Sequence, residues 1–147
     1  MAGLTETRLT DSGMCQVGEH TVIHSGEDQA NLNGVALVLD GQMNKSMVSW
    51  QAVCSRILRA RLLHKNGHIT VITAYAPTEE NPIFNEDSFY TSPESVIHSV
   101  PTHDKLVVLG DFNTETGCNR IVIGNNNWIF FIYCNNVYLH IARTRFG

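Results

Sequence analysis

Two consecutive strand patterns, joined by a short turn, constrain the fold of this chain most strongly. Residues 55–63, SRILRARLL, alternate between aliphatic side chains and Arg59 and Arg61, which predicts a half-buried strand with its arginines in water. Residues 69–78, ITVITAYAPT, are largely apolar on both faces, which predicts a strand inside a layered structure that ends at Pro77. Because KNG lies between the two patterns, we expect a β-hairpin.

Three further segments complete the predicted order of elements. Residues 33–40, NGVALVLD, and 105–113, KLVVLGDFN, are short apolar runs bounded by turn residues, and each predicts a strand. Residues 85–100 have helical spacing, and Pro93 within them predicts that the helix either kinks or restarts there; we favour a restart with Ser92 as the N-cap. The order strand, hairpin, helix, strand predicts an α/β or α+β layered domain with a substantial sheet.

The charges are unevenly distributed along the 147 residues. Residues 1–117 contain all fourteen acidic residues and seven Lys or Arg, whereas residues 118–147 contain three Arg and no acid. The excess of acidic residues over residues 1–117 argues against a protein that holds nucleic acid mainly by neutralising phosphates. It is compatible with an enzyme that meets a single phosphate through a metal ion.

Residues 118–147 differ from the rest of the chain in a second way. They contain six asparagines and the uncharged, β-prone run Trp128–Cys134, without the alternation of the earlier strands. We expect either a further strand or a segment foreign to the domain, so the predicted division is a partial domain over residues 1–117 and a divergent tail over 118–147. A β-prone, uncharged run also favours self-association through exposed apolar surface.

Composition and motifs indicate the compartment. The four cysteines form no CxxC pair, which favours free thiols in a reducing compartment, with no disulfide partner and no zinc site. The first residues lack the basic start and apolar run of a secretory signal, and Trp128–Cys134 is too short to cross a bilayer. We expect an intracellular protein without a membrane partner, in either the nucleus or the cytoplasm.

A carboxylate follows directly on the buried run at residues 105–110. Asp111 comes at the carboxyl end of the predicted strand, which is the rim where layered α/β folds build their sites. Asn113 points to the same side if the chain stays extended. Gly, Asp and Asn are also turn formers, so local sequence leaves open a site or a plain turn.

Five segments, in this order and at the expected spacing, resemble the deoxyribonuclease I-like endonuclease/exonuclease/phosphatase superfamily: GLTETRLTDSG (3–13), SWQAVCSRILRARL (49–62), TVITAYAPTEE (70–80), FY (89–90) and VPTHDKLVVLGDFN (100–113). The similarity is greatest to the endonuclease domains of non-LTR retrotransposons. It implies a partial deoxyribonuclease I-like four-layer α/β sandwich, roughly the N-terminal half of that fold.

The resemblance also implies a set of site residues. Glu6 would bind the catalytic Mg²⁺, or Mn²⁺, and Tyr75 would contact the scissile phosphate. Asp111 would orient or deprotonate the attacking water, and Asn113 would help to hold the phosphate. Phosphodiester hydrolysis needs a metal, a base and neutral donors, which are the types present. Two alternatives stay open: Tyr75 simply packs in the core, and Glu6 is simply solvated.

The chain departs from the family pattern at two places. No strand with an asparagine precedes Glu6, and no aspartate–asparagine pair or terminal serine–aspartate–histidine motif follows Asn113; His140 does not match that motif. The expectation is a Mg²⁺-dependent endonuclease that hydrolyses DNA, but one that is truncated at both ends and has therefore lost most or all of its activity. The alternatives are a non-catalytic remnant or interaction module, and a phosphoesterase acting on a small phosphorylated substrate.

Overall fold

The computed structural model describes residues 1–27, 33–75 and 95–111, together with the backbone of residues 128–133. The first sheet is antiparallel, has the strand order β1–β4–β3–β2 and consists of β1 (Ala2–Thr5), β2 (Ser12–Val17), β3 (His20–Ser25) and β4 (Val35–Leu39). A short helix, α1 (Gly41–Ser46), leads into the second sheet. That sheet has the order β5–β6–β7–β8–β9 and consists of β5 (Met47–Cys54), β6 (Ile57–His64), β7 (Gly67–Tyr75), β8 (Lys105–Asp111) and β9 (Trp128–Tyr133).

The predicted hairpin is confirmed as the antiparallel pair β6–β7. His64 pairs with Gly67 across the turn, and the φ of Gly67 is +126°, a value that favours glycine. The strands predicted at residues 33–40 and 105–113 are β4 and β8. β8 pairs with β7 in parallel, from Ile69–Lys105 to Tyr75–Asp111.

The two sheets pack face to face around one apolar cluster. The first sheet contributes Ile23, Val35, Leu37 and Leu39, and the second contributes Leu58, Ala60, Leu62, Val71 and Tyr75. A second cluster covers the other face of β7 and β8, and its buried members are Ile57, Ile72, Ala74, Val96, Val100, Leu106 and Val108. Both faces of β7 are therefore buried, as its sequence predicts.

The helical residues in the described part of the second half are 95–98. They place Val96, and Val100 just after them, against the outer face of the second sheet. The predicted restart at Ser92 and Pro93 lies outside the described residues, as does Pro77. The described part is mostly strand in two sheets with little helix, so it is a mixed, sandwich-like fold. The four-layer deoxyribonuclease I-like arrangement stays a prediction.

Arg59 and Arg61 lie on the predicted face and are partly exposed to water, but both also have protein partners that the sequence did not predict. Arg61 donates through Nε and Nη2 to the two carboxylate oxygens of Asp104, at 2.7 and 2.8 Å, and Thr70 Oγ1 donates to the same carboxylate at 2.8 Å. Arg59 donates to Ser99 Oγ at 2.9 Å. The physical reason is that residues 95–104 return over this face of the sheet and supply polar partners.

Part of the tail is also described. β9 lies within residues 118–147 and pairs in parallel with β8, from Leu106–Trp128 to Asp111–Tyr133. The strand alternative for this stretch is thus confirmed over Trp128–Tyr133, and the division of the chain at residue 117 stays a prediction. Cys15 and Cys54 are exposed free thiols. No helix in the described part of the chain is long and apolar enough to cross a membrane.

Candidate active site

Two of the predicted site residues end neighbouring strands. Tyr75 is the last residue of β7, Asp111 is the last residue of β8, and the two are register partners in the parallel pair. Side chains alternate along a strand, so Val71 lies on the same face of β7 as Tyr75, and Leu109 on the same face of β8 as Asp111. Val71 and Leu109 both pack between the sheets. The phenol and the carboxylate therefore belong to the same face and the same edge of the second sheet.

Gly110 explains why the strand can deliver Asp111 in this register. A Cβ at Gly110 would lie 1.8 Å from the carbonyl oxygen of Ala74, far inside van der Waals contact. Glycine lets β8 stay paired with β7 through Ala74–Gly110 to Tyr75–Asp111. The glycine before the carboxylate is therefore a requirement of the strand pairing, and the plain-turn interpretation is not needed to account for it.

The third predicted residue comes from the other sheet. Glu6 directly follows β1, and its Oε1 accepts a hydrogen bond of 2.7 Å from the Tyr75 hydroxyl. Tyr75 is only 6% exposed, whereas Glu6 lies at the surface. β1 can approach the second sheet because Gly3 has no side chain: a Cβ there would lie 2.9 Å from Leu109 Cβ.

The loop that begins with Glu6 has an unusual backbone. Glu6, Arg8 and Asp11 have φ values of 53°, 55° and 65°, in the left-handed region that non-glycine residues rarely adopt. Such residues cost about 1–3 kcal/mol each and persist where the surrounding structure holds them. Two backbone bonds do so here, because Thr7 N donates to Gly34 O at 3.2 Å and Arg8 N donates to Asn33 O at 2.9 Å.

A buried arginine packs against the ring of Tyr75, and it was not among the predicted site residues. The guanidinium of Arg56 lies 5.0 Å from the centroid of the Tyr75 ring, and the residue is 3% exposed. The signal was present in the alternation, because Arg56 is in phase with the inward-facing Leu58 rather than with Arg59. Burial is the main cause that lowers the pKa of Arg56.

The structure thus joins Glu6 to Tyr75 by a hydrogen bond and Tyr75 to Asp111 as strand partners, and Asn113 lies outside the described residues. Tyr75 does pack in the core and Glu6 is solvated, as the two alternatives expected, and the site roles of both residues stay predictions. The Tyr75 ring packs in the core while its hydroxyl binds Glu6, and Glu6 is solvated while it accepts that bond. What the sequence could not supply was this contact between the sheets.

The donor chemistry suits a hard cation. Carboxylates are the protein ligands of Mg²⁺, which commonly uses one or two of them together with phosphate oxygens and water. Glu6 and Asp111 supply carboxylates at this rim, and Glu6 is open to solvent. Within the described residues there is no group of three or more His, Cys, Asp or Glu side chains that could hold a metal by itself.

Comparison with known proteins gives two relatives of one kind. Over 122 residues, or 81% of this chain, the sequence is 27% identical to craniofacial development protein 2 of Bos taurus. It is 26% identical over 122 residues to craniofacial development protein 2 of Tragulus javanicus. The aligned stretch is 20% of the first relative and 21% of the second, so the chain spans about a fifth of their length. No family model matches the chain. The chain is homologous to part of craniofacial development protein 2.

Proposed function

We propose that Glu6, Tyr75 and Asp111 form the metal-binding and phosphate-binding part of a Mg²⁺-dependent phosphodiesterase site, with DNA as the expected substrate. One observation carries the proposal: the 2.7 Å hydrogen bond between Tyr75 and Glu6, beside the register pair Tyr75–Asp111. The three residues come from separate parts of the chain. The family resemblance, which extends across all three, supports the assignment to the endonuclease/exonuclease/phosphatase superfamily and to its retrotransposon type.

Each residue has a chemical role that matches its surroundings. Glu6 would hold the cation through its solvent-facing carboxylate, and the cation would neutralise and polarise a phosphoryl oxygen. The Tyr75 hydroxyl orients the Glu6 carboxylate in the substrate-free protein and would donate to a phosphate oxygen when substrate binds. Asp111 would orient the attacking water and accept its proton. Asn113 would donate to the same phosphate.

A purely structural role for the Tyr75–Glu6 bond accounts for less. A buried tyrosine needs a partner for its hydroxyl, and any nearby carbonyl would suffice. Here the partner is a surface carboxylate whose backbone lies in the left-handed region, on a loop held at Asn33 and Gly34. Backbone strain of this kind concentrates at functional sites, because it fixes a side chain where a relaxed loop would not.

Metal binding is the first test, with Mn²⁺ as a spectroscopic probe for Mg²⁺. We expect electron paramagnetic resonance to detect weak binding to the chain, and Glu6→Gln to weaken it by at least about tenfold, as the loss of a ligand or its orienting partner commonly does. Glu19→Gln is the matched control, because Glu19 is exposed in the turn between β2 and β3. Equal Mn²⁺ affinity in Glu6→Gln and the parent chain would refute the proposed site.

Nicking of supercoiled plasmid is the second test. We expect little conversion to open circle by this chain, because general acid–base groups contribute about 10²–10⁴-fold each and the sequence has no match to the histidine motif of the family. Conversion that requires Mg²⁺ and is lost in Asp111→Ala would show that the site is more complete than we infer. Metal binding that depends on Glu6, together with little or no conversion, is the result expected for a site that lacks these acid–base groups.

A further inference from the structure

Arg56 stands directly before β6 and is almost fully buried, which is unusual for an arginine. Its guanidinium lies over the ring of Tyr75 at 5.0 Å from the centroid. We propose that Arg56 is a positioning residue: it fixes the Tyr75 ring from behind and so aims the hydroxyl at Glu6. This inference rests on the proposed function of Glu6 and Tyr75.

The two residues are joined by more than the ring contact. Tyr75 N donates to Arg56 O at 2.9 Å, and Arg56 Nη1 donates to Tyr75 O at a longer 3.5 Å. The backbone of Tyr75 and the face of its ring are therefore both held by one residue. The hydroxyl is the far end of the ring, so a small rotation near the backbone would move it away from Glu6 by a larger distance.

An arginine is suited to this position for reasons of shape. The guanidinium is planar, so it can stack on an aromatic ring and still donate from its edge, whereas the compact ammonium of lysine cannot do both. Stacking of a cation on a ring is stronger where both are desolvated, which is the situation here. The charge itself persists at neutral pH, because arginine remains protonated even when burial lowers its pKa.

A carboxylate beside this pair partly offsets the cost of burying the cation. Glu27 lies close enough for its charge to favour the protonated form of Arg56. Glu27 is held in turn, because it accepts from Ser55 Oγ at 3.1 Å and from Asn33 Nδ2 at 3.4 Å. Asn33 also carries the carbonyl that accepts from Arg8 N. A series of contacts through Glu27 and Asn33 thus connects Arg56 to the loop that begins with Glu6.

The first experiment measures Mn²⁺ affinity in a double-mutant cycle. We expect Arg56→Met to weaken binding by up to about thirtyfold, the equivalent of a desolvated cation–ring contact, and Arg56→Lys to restore it only in part. In a Tyr75→Phe background the hydroxyl is absent, so Arg56→Met should cause little further loss. Arg59→Met is the control: Arg59 lies within β6, faces the other side of the sheet and donates to Ser99, so this variant should bind Mn²⁺ as the parent chain does.

The second experiment follows the ring itself and does not depend on metal. The chain has four tyrosines, so ring-labelled tyrosine gives few ¹³C resonances, and Tyr75→Phe identifies the one that belongs to Tyr75. We expect Arg56→Met and Glu6→Gln to shift that resonance and Arg59→Met to leave it in place. If Arg56→Met does not fold, as urea unfolding would reveal, Arg56→Lys is compared in the same way.

The outcomes separate the inference from the proposed function. An unshifted Tyr75 resonance in the folded Arg56 variant, or equal Mn²⁺ losses from Arg56→Met with and without the Tyr75 hydroxyl, would overturn the positioning role. A parent chain that binds no Mn²⁺, with a Tyr75 resonance that still responds to Arg56 and Glu6, would refute the metal site and leave the positioning of Tyr75 supported.

Discussion

Replacing Gly110 by alanine tests whether strand pairing delivers Asp111 to the site. The added Cβ would lie 1.8 Å from the carbonyl oxygen of Ala74, whereas real Cβ atoms essentially never approach closer than 3.0 Å. The contact is with backbone, so no side chain can rotate away to relieve it. The end of β8 must therefore separate from β7, and the register pairs Ala74–Gly110 and Tyr75–Asp111 are lost.

The cost follows from what the separation breaks. Each backbone hydrogen bond lost costs about 0.5–1.5 kcal/mol, and overpacking of a close contact costs about 1–3 kcal/mol. Strain relief by local fraying reduces the total, so we expect the free energy of unfolding to fall by about 2–4 kcal/mol. Mn²⁺ binding should weaken as well, because Asp111 moves away from Tyr75.

Urea unfolding followed by tryptophan fluorescence measures this change. Trp50 is the reporter, because it packs against the apolar cluster between the two sheets. With an m-value of about 2 kcal/mol per molar urea, the midpoint should fall by about 1–2 M. Gly41→Ala is the control, because nothing lies within 4 Å of a Cβ at that first residue of α1, and alanine favours helix. A Gly110→Ala midpoint equal to that of the parent chain would refute the close-approach argument.

Two other substitutions test the packing around the site. Asp104→Asn should destabilise the fold. The hydrogen bond from Arg61 lowers the pKa of Asp104 in the folded protein below its ordinary value of 3.8. The ionised carboxylate therefore stabilises the fold fully at pH values above 3.8. The stabilisation is lost as the pH falls through the lowered pKa of the folded state. The difference in thermal unfolding temperature between the parent chain and Asp104→Asn should therefore shrink below pH 3.8, and a difference that stays constant would contradict this. Gly3→Ala should lower the free energy of unfolding in urea by about 1–3 kcal/mol, because the added Cβ would lie 2.9 Å from Leu109 Cβ. It should also weaken Mn²⁺ binding. If both values equal those of the parent chain, β1 can shift freely.

The sequence by itself determined where four of the nine described strands lie, namely β4, β6, β7 and β8. Alternation at residues 55–63, apolar residues on both faces at 69–75 and the KNG turn gave β6, β7 and their hairpin, because the side-chain period of a strand is a local property. The run before Asp111 gave β8 for the same reason. The resemblance, rather than periodicity, supplied Glu6 and Tyr75 as site residues.

Only the tertiary structure decided what those residues contact. Tyr75 meets Glu6 because the two sheets pack face to face, and it lies beside Asp111 because β8 joins β7 in parallel. Arg56 in the core and the partners of Arg61 were equally out of reach of the sequence. The physical reason is common to all of them: local pattern shows which face of a strand is buried, but contacts between residues far apart in the chain depend on which faces pack together.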